Sequence, residues 1–242
     1  MKRHLILFSL TTLAACGGGA AVVDENGERG AETVVCPGST VVRGIDVSYY
    51  QGSIGWGSVY GAGKRFAFVR VSDGTGFLDP NFKSYWNNAQ NAGLKVGAYQ
   101  FFRPSQDPIA QADLMVNQLN SVGFSTNHLP PVIDVEVTGG VSDATVASRV
   151  NSWLQRVQSR TGRLPALYTS PGFWGTIGNP TPNPIPYLWV AHWGVSCPDL
   201  PHVSYSWRLR WWQYSSTGSV SGISGNVDLD LYNGSLTEMI GL

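Results

Sequence analysis

Charge is what this chain has least of. Only 13% of its 242 residues are Asp, Glu, Lys or Arg, and the 16 acids balance the 16 bases. No global field remains to attract a polyanion, so no nucleic-acid partner is expected. Histidine is also scarce. His4, His128, His192 and His202 show no metal-ligand spacing, and neither a metal nor a cofactor is expected. His192, next to Trp193, reads as a packing or hydrogen-bonding residue at a rim. A serine-hydrolase elbow is missing, because Gly194-Val195-Ser196-Cys197-Pro198 lacks the closing glycine. Gly55-Trp56-Gly57 has no phosphate-loop pattern, and no internal repeat or second domain is visible.

Cysteine is limited to three residues. The first closes an export signal. Met1-Lys2-Arg3-His4 is a basic start, and Leu5 to Ala14 is an apolar run too short to span a bilayer as a mature anchor. The run ends in Leu13-Ala14-Ala15-Cys16, which resembles the lipobox of bacterial lipoproteins. That resemblance implies cleavage after residue 15 and acylation of Cys16, hence a membrane contact through the N-terminal lipid. An ordinary secretory signal is the alternative. Cleavage would remove Lys2 and Arg3, leaving 14 basic and 16 acidic residues. Gly17 follows Cys16 without the Asp that often retains lipoproteins at the inner membrane, which favours the outer one. Residues 16–40 are rich in Gly, Ala and Glu without apolar periodicity and read as a tether. The folded unit is expected over 41–242. In an oxidising compartment the remaining pair, Cys36 and Cys197, can form a disulfide, with two unrelated thiols as the alternative.

Aromatics, by contrast, are plentiful at 12%, with nine Trp and ten Tyr. They suit a Trp-rich core. They equally suit sugar binding, since flat rings match the apolar faces of pyranoses. The apolar runs alternate with helical segments. Strands are expected at 43–49, 66–72, 95–102, 131–137, 165–169, 187–193, 209–215 and 227–232. Helices are expected at about 54–63, 81–92, 108–122, 143–160 and 172–177. In the fourth, Val146, Val150, Trp153, Leu154 and Val157 keep the 3.6-residue period, and Gly162 supplies a stop. Between the last three strands there is no room for full crossover helices, and with Gly and Ser over 215–226 hairpin-like connections are expected there. Five strand–helix units followed by three strands imply one α/β domain, an irregular TIM-like barrel of (β/α)5(β)3 form. Catalytic groups in such barrels lie at the C-terminal strand ends.

The most informative segment is Pro131-Val132-Ile133-Asp134-Val135-Glu136-Val137. Strand alternation puts Val132, Asp134 and Glu136 on one face and the apolar residues on the other. Burying charge is costly unless it is paired or used. Paired carboxylates serve glycosidic cleavage, one protonating the leaving oxygen and the other steadying positive charge on the sugar. Asp46 alternates with Ile45 and Val47 in the same way. Asp228 and Asp230 alternate with Val227, Leu229 and Leu231. A lone strand acid is most often a hydrogen-bonding group at a loop end, and some of these acids can be structural.

Arg43-Gly44-Ile45-Asp46-Val47-Ser48 resembles the first strand of glycoside hydrolase family 25, the Chalaropsis-type lysozymes. Further matches run in order: Phe66-Ala67-Phe68-Val69-Arg70, Asp79-Pro80-Asn81-Phe82, Ala92 to Tyr99, Ile133-Asp134-Val135-Glu136, Leu167-Tyr168-Thr169, Leu188 to His192, Trp212-Gln213-Tyr214 and Val227 to Asp230. The resemblance implies a monomeric enzyme that cuts the β-1,4 bond between N-acetylmuramic acid and N-acetylglucosamine in the glycan strands of peptidoglycan. It implies Glu136 as proton donor, kept protonated by an apolar, acid-rich site. Asp134, Asp46 and Asp228 would be the other cleft acids, and Tyr99, Tyr168, Trp189 and Gln213 would line the cleft. It also implies a retaining reaction assisted by the substrate's acetamido group, oriented by Asp134 or Asp228. Gln100 stands where many relatives have His; alternation turns it away from Tyr99, so a small effect is expected. A family 18 chitinase would carry a further acid where Val132 stands. The rival of another class is a wall-binding lipoprotein that keeps the fold without turnover.

Overall fold

The computed structural model describes residues 33–200 and 209–242. The signal at 1–15, the lipidation site Cys16 and His202 lie outside the described residues. Eight strands form the barrel: β1 Val41–Val47, β2 Phe66–Asp73, β3 Lys95–Phe101, β4 Val132–Asp134, β5 Ala166–Thr169, β6 Tyr187–Ala191, β7 Leu209–Gly218 and β8 Val227–Asn233. The order runs β1 to β8 around the ring, and β8 returns to β1. Strands β1 to β7 are parallel to their neighbours, whereas β8 is antiparallel to both β7 and β1. The hairpin expected over 215–226 is therefore present, while β6 and β7 are joined by a crossover.

Helices α1 Trp56–Gly61, α2 Phe82–Asn91, α3 Pro108–Ser121, α4 Asp143–Thr161 and α5 Pro171–Thr176 follow the first five strands. A short α6, Leu236–Ile240, was not foreseen. Helix α4 starts where Ser142 Oγ accepts the Thr145 N–H and stops at Gly162, which has φ 69°.

Alternation along each strand divides the core into two. Ile45, Val47, Ile133, Val135 and Leu167 pack outward against helix residues such as Trp86, Met115 and Trp153. Val42, Phe66, Phe68, Val132, Trp189, Trp211 and Tyr232 fill the barrel. Two glycines make room for that filling. A Cβ on Gly44 would lie 2.4 Å from the Phe66 ring, and one on Gly97 would lie 2.5 Å from Phe68. Strand β4 ends at Asp134, three residues before the expected end, although the Val135 N–H still bonds the Tyr168 carbonyl at 2.9 Å.

The segment expected as a tether is attached at its C-terminal part. Thr33–Val34 pairs with Asp199–Leu200, the Val35 N–H bonds the Pro198 carbonyl at 3.0 Å, and Cys36 is disulfide-bonded to Cys197 with Cα atoms 4.5 Å apart. Backbone pairing and a covalent link hold these residues to the β6–β7 connection, so ordered chain begins ahead of Val41.

Candidate active site

The C-terminal ends of the parallel strands open into a cleft of about 270 Å³. Register brings its acids together. Asp46 lies directly opposite Asp228 across the β1–β8 ladder. Asp134 is the last residue of β4, level with Tyr168 on β5. Because β8 runs antiparallel, its first residues reach the same end as the last residues of the parallel strands. All eight expected site residues line this cleft: Asp46, Tyr99, Asp134, Glu136, Tyr168, Trp189, Gln213 and Asp228.

Their environments differ. Asp134 is 4% exposed, and its Oδ1 has no hydrogen-bond partner. Burial first, then the adjoining Glu136 charge, pushes its carboxyl well above the usual carboxylate range; a hydrogen bond to Glu136 adds to this, and Arg70 opposes it. Burial thus disfavours the charged form of Asp134. Glu136 itself is exposed. The expected apolar enclosure of Glu136 is not found, because β4 ends two residues earlier and Glu136 projects past the barrel rim. Burial falls on Asp134 instead.

Below this pair lies a second one. Asp46 is raised well above its ordinary value by burial and by Asp230 and Asp228. Asp230 is wholly buried and pushed up to about 8, chiefly by burial and then by Asp228. Two buried carboxyls in hydrogen-bonding contact share a proton more readily than they both ionise. Asp228, nearer the opening, is raised to about 6 by burial and by Glu136. Gln213 ties the layer together. Its Nε2 donates to Asp46 Oδ2 at 2.7 Å, while its Oε1 accepts from the Tyr168 hydroxyl and from Trp193 Nε1–H, each at 2.9 Å.

Trp189 is less a sugar platform than a wall. It is 1% exposed, stacks on Phe68 with centroids 4.5 Å apart, and donates its N–H to Asp230 Oδ1 at 2.9 Å. The exposed rings at the cleft are Tyr50 and Trp193, at 73% and 51%. Neither was picked out from sequence: Tyr50 lies one residue past the expected first strand, and Trp193, at the end of the strand expected over 187–193, falls beyond the observed end at Ala191. Arg70 was also missed as a site residue. It is buried, holds Asp79 through Nε at 3.1 Å, and sits 5.1 Å from the Tyr49 ring centroid, bringing positive charge to a cleft rich in acids. Its inward position on β2 was readable from alternation with Val69 and Val71. Gln100 does face away from the cleft: it is fully buried, accepts from Trp153 Nε1–H at 2.7 Å and donates to Ser72 at 2.9 Å. His192 takes the expected rim position, its Nδ1 accepting the Asp199 N–H at 3.0 Å.

An exposed carboxyl beside a buried one whose proton affinity is raised, with two further acids and two exposed aromatic rings, suits acid–base cleavage of a glycan. The family model for glycosyl hydrolases family 25 matches residues 45–223. Lysozyme M1 of Streptomyces globisporus is 37% identical over 95% of this chain and 81% of its own. N,O-diacetylmuramidase of Arthroderma benhamiae is 30% identical over 96% of each chain. The crystal structure of the bacterial lysozyme from Streptomyces coelicolor superposes with a TM-score of 0.75 at 37% identity, over 85% of this chain and 98% of that one.

Proposed function

Since the chain belongs to glycosyl hydrolase family 25 and is a glycoside hydrolase of the muramidase type, we propose that it cuts the β-1,4 bond between N-acetylmuramic acid and N-acetylglucosamine, with Glu136 as acid and base. The observation that carries this reading is the Asp134–Glu136 pair at the mouth of the barrel. Glu136 is open to the cleft and can reach a leaving oxygen. Asp134 beside it holds a proton that can pass to Glu136 as substrate displaces water. Once it has given up that proton, the buried Asp134 carboxylate has an unpartnered Oδ1 to accept the acetamido N–H of the substrate. The acetamido oxygen then attacks C1 as Glu136 protonates the leaving oxygen. Asp228 and Asp46 supply negative charge near the oxocarbenium-like centre, and Glu136 takes a proton from the water that completes hydrolysis. The overall course is retention.

Export and lipidation belong to the same reading. Residues 1–15 would be a signal peptide, Cys16 the acylated residue of a tether that continues to the docked segment at Thr33, and 41–242 the catalytic domain. A bonded Cys36–Cys197 pair supports an oxidising compartment. The glycan would then be reached from a membrane surface.

The test is digestion of purified peptidoglycan by the protein, with mass spectrometry of the fragments and analysis of the first-formed anomer. Fragments with reducing-end muramic acid that retain configuration, and that vanish with Glu136→Gln, are expected. Turnover should fall at least ~1,000-fold in that variant, while its melting temperature stays within ~2 °C because Glu136 is exposed. Reducing-end glucosamine, an inverted product or a fully active variant would each overturn the corresponding part. Retention on intact wall without new reducing ends would favour the binding-protein rival.

A further inference from the structure

Charge is segregated along the barrel axis. Because β1 to β7 are parallel, their first residues share one end, the floor, opposite the cleft. Arg43, Arg65 and Lys95 lie side by side there. The Arg65 N–H bonds the Arg43 carbonyl and the Lys95 N–H bonds the Arg65 carbonyl, each at 2.8 Å. Neighbouring strands are about 4.8 Å apart, so these three cations fall within about 10 Å of the rim. Arg163, ahead of β5, and Arg210, second in β7, add to the same end. The mouth instead gathers Asp46, Asp134, Glu136 and Asp228, with Asp199 beside it. We propose that the floor is a docking surface for anionic phospholipid headgroups, which turns the cleft away from the membrane and toward the wall. The proposal goes beyond the glycosidase reading and takes from it only the membrane setting.

The cations of the floor are available for such a partner. Among the described residues, no ion pair neutralises Arg43, Arg65 or Lys95. Arg65 Nη1 donates to the carbonyls of Tyr60 and Lys64, at 2.9 and 2.8 Å, so its charge is held in place without being cancelled. Glu238, an acid at this end, is engaged in capping α6, where it accepts the Ser235 N–H at 2.6 Å and the Ser235 hydroxyl at 2.8 Å. Apolar groups stand among the cations. Helix α6 closes the barrel from below, with Met239 buried in the barrel filling and Leu236 39% exposed. Tyr60, in the last turn of α1, is also 39% exposed, and the Arg65 guanidinium lies 4.2 Å from its ring centroid. An exposed Tyr and Leu among Arg and Lys is the composition of an interfacial surface: the apolar groups reach the acyl boundary while the cations stay among the headgroups.

A lipid on Cys16 would leave orientation open. Residues 17–32 separate it from the docked Thr33, at most ~60 Å of chain, which is long enough for either end of the barrel to face the bilayer. The floor decides between the two ends, since an anionic leaflet attracts Arg43, Arg65 and Lys95 and repels the acids of the mouth. Strand β1 has 7 residues and spans ~23 Å, so a docked floor holds the acids about that far above the headgroups.

The experiment takes the signal-cleaved chain with Cys16→Ser, which cannot be acylated, and measures its partition onto vesicles of phosphatidylglycerol and phosphatidylcholine against vesicles of phosphatidylcholine alone. Binding should favour the anionic vesicles at least ~30-fold and weaken at least ~10-fold as ionic strength rises from ~0.05 to ~0.5 M. Each cation at an anionic leaflet is worth roughly fivefold in affinity, so Arg43→Gln/Arg65→Gln/Lys95→Gln should lose at least ~30-fold. Arg43→Glu changes one exposed residue and should lose ~10-fold, whereas Lys83→Gln, at the mouth-side start of α2, should change partition by less than ~twofold. On the vesicles, amide exchange should slow over 58–66 and 234–240 and stay as in solution over 48–55 and 192–196. Equal binding to neutral vesicles, slowed exchange at the mouth, or unchanged partition of Arg43→Glu and of the folded triple variant would each overturn the proposal. Equal affinity for soluble polyphosphate would make the floor a general polyanion site and overturn its assignment to lipid. Arg43→Glu should digest soluble glycan as the unmodified protein does, which separates docking from catalysis. If the unmodified protein docks on anionic vesicles but cuts no glycan, the glycosidase reading fails and the floor stands.

Discussion

Replacing Asp230 by Asn should make the protein more stable at neutral and alkaline pH. Asp230 is fully buried under the cleft, with Oδ1 accepting the Trp189 N–H at 2.9 Å and with Asp46 as its neighbour. Its carboxyl is pushed from an ordinary value of 3.8 up to about 8, by burial before any other cause. The folded form thus holds this proton more tightly than the unfolded chain does. The stability that the protonated group provides is complete below about pH 4 and drains away as pH rises to about 8. Each unit of difference is worth about 1.4 kcal/mol, so the loss reaches ~4 kcal/mol by pH 7 and rises further by pH 8. An amide avoids it. The amide oxygen can still accept from Trp189. Urea denaturation of both proteins between pH 4.5 and 8.5 gives the comparison. The variant should gain roughly 2–4 kcal/mol at pH 8, and the two should converge toward pH 4.5. A stability difference that stays constant across this range would refute the argument, because a neutral packing effect has no reason to titrate.

Three other outcomes follow from the same geometry. If ionised Asp228 stabilises the developing positive charge, kcat/KM should fall on the acid side with a midpoint near pH 6, since that carboxyl is raised to about 6; in Asp228→Asn that limb should disappear from a lowered pH–rate profile. Gly97→Ala should cost ~1–3 kcal/mol in chemical denaturation, because a Cβ there meets the Phe68 ring at 2.5 Å and the Leu129 Cβ at 2.8 Å inside a filled barrel; a neutral result would mean that the barrel filling is loose. Removing the Cys36–Cys197 bridge, which spans 161 residues, should lower unfolding free energy by ~2–5 kcal/mol, read from the shift of the urea midpoint. An unchanged midpoint would show that the N-terminal segment adds nothing to global stability.

Most of the barrel was legible because its two faces carry different chemistry. In β1, Ile45 and Val47 face the helices while Asp46 faces in, and the same alternation separates Val132 and Asp134 from Ile133 and Val135. The period of two shows in single residues, so eight strands could be placed to within a few positions. The docking of Thr33–Val34 on Asp199–Leu200 was not legible. Two-residue strands have no period to detect, and their partner is far away in the chain. The parallel sense of β6 and β7 was equally hidden, since a short connection without a clear helical pattern does not reveal the direction of the strand after it.

The sequence alone determined which residues could become the reactive set: acids at alternating positions in apolar strands have one inward face to occupy, and Asp46, Asp134, Glu136 and Asp228 occupy it. Only the tertiary structure decided how that set divides the work. Burial and charge proximity come from neighbours on other strands. Asp134 is enclosed beside Tyr168, which raises its proton affinity, while Glu136, two residues later, stands in the open; Asp46 and Asp230 press together only because β1 lies against an antiparallel β8. Trp193 likewise has its indole N–H held by Gln213, a residue on another strand. Local patterning sets which face a side chain takes. Its proton affinity and its exposure depend on distances across the barrel, which exist only once the barrel has closed.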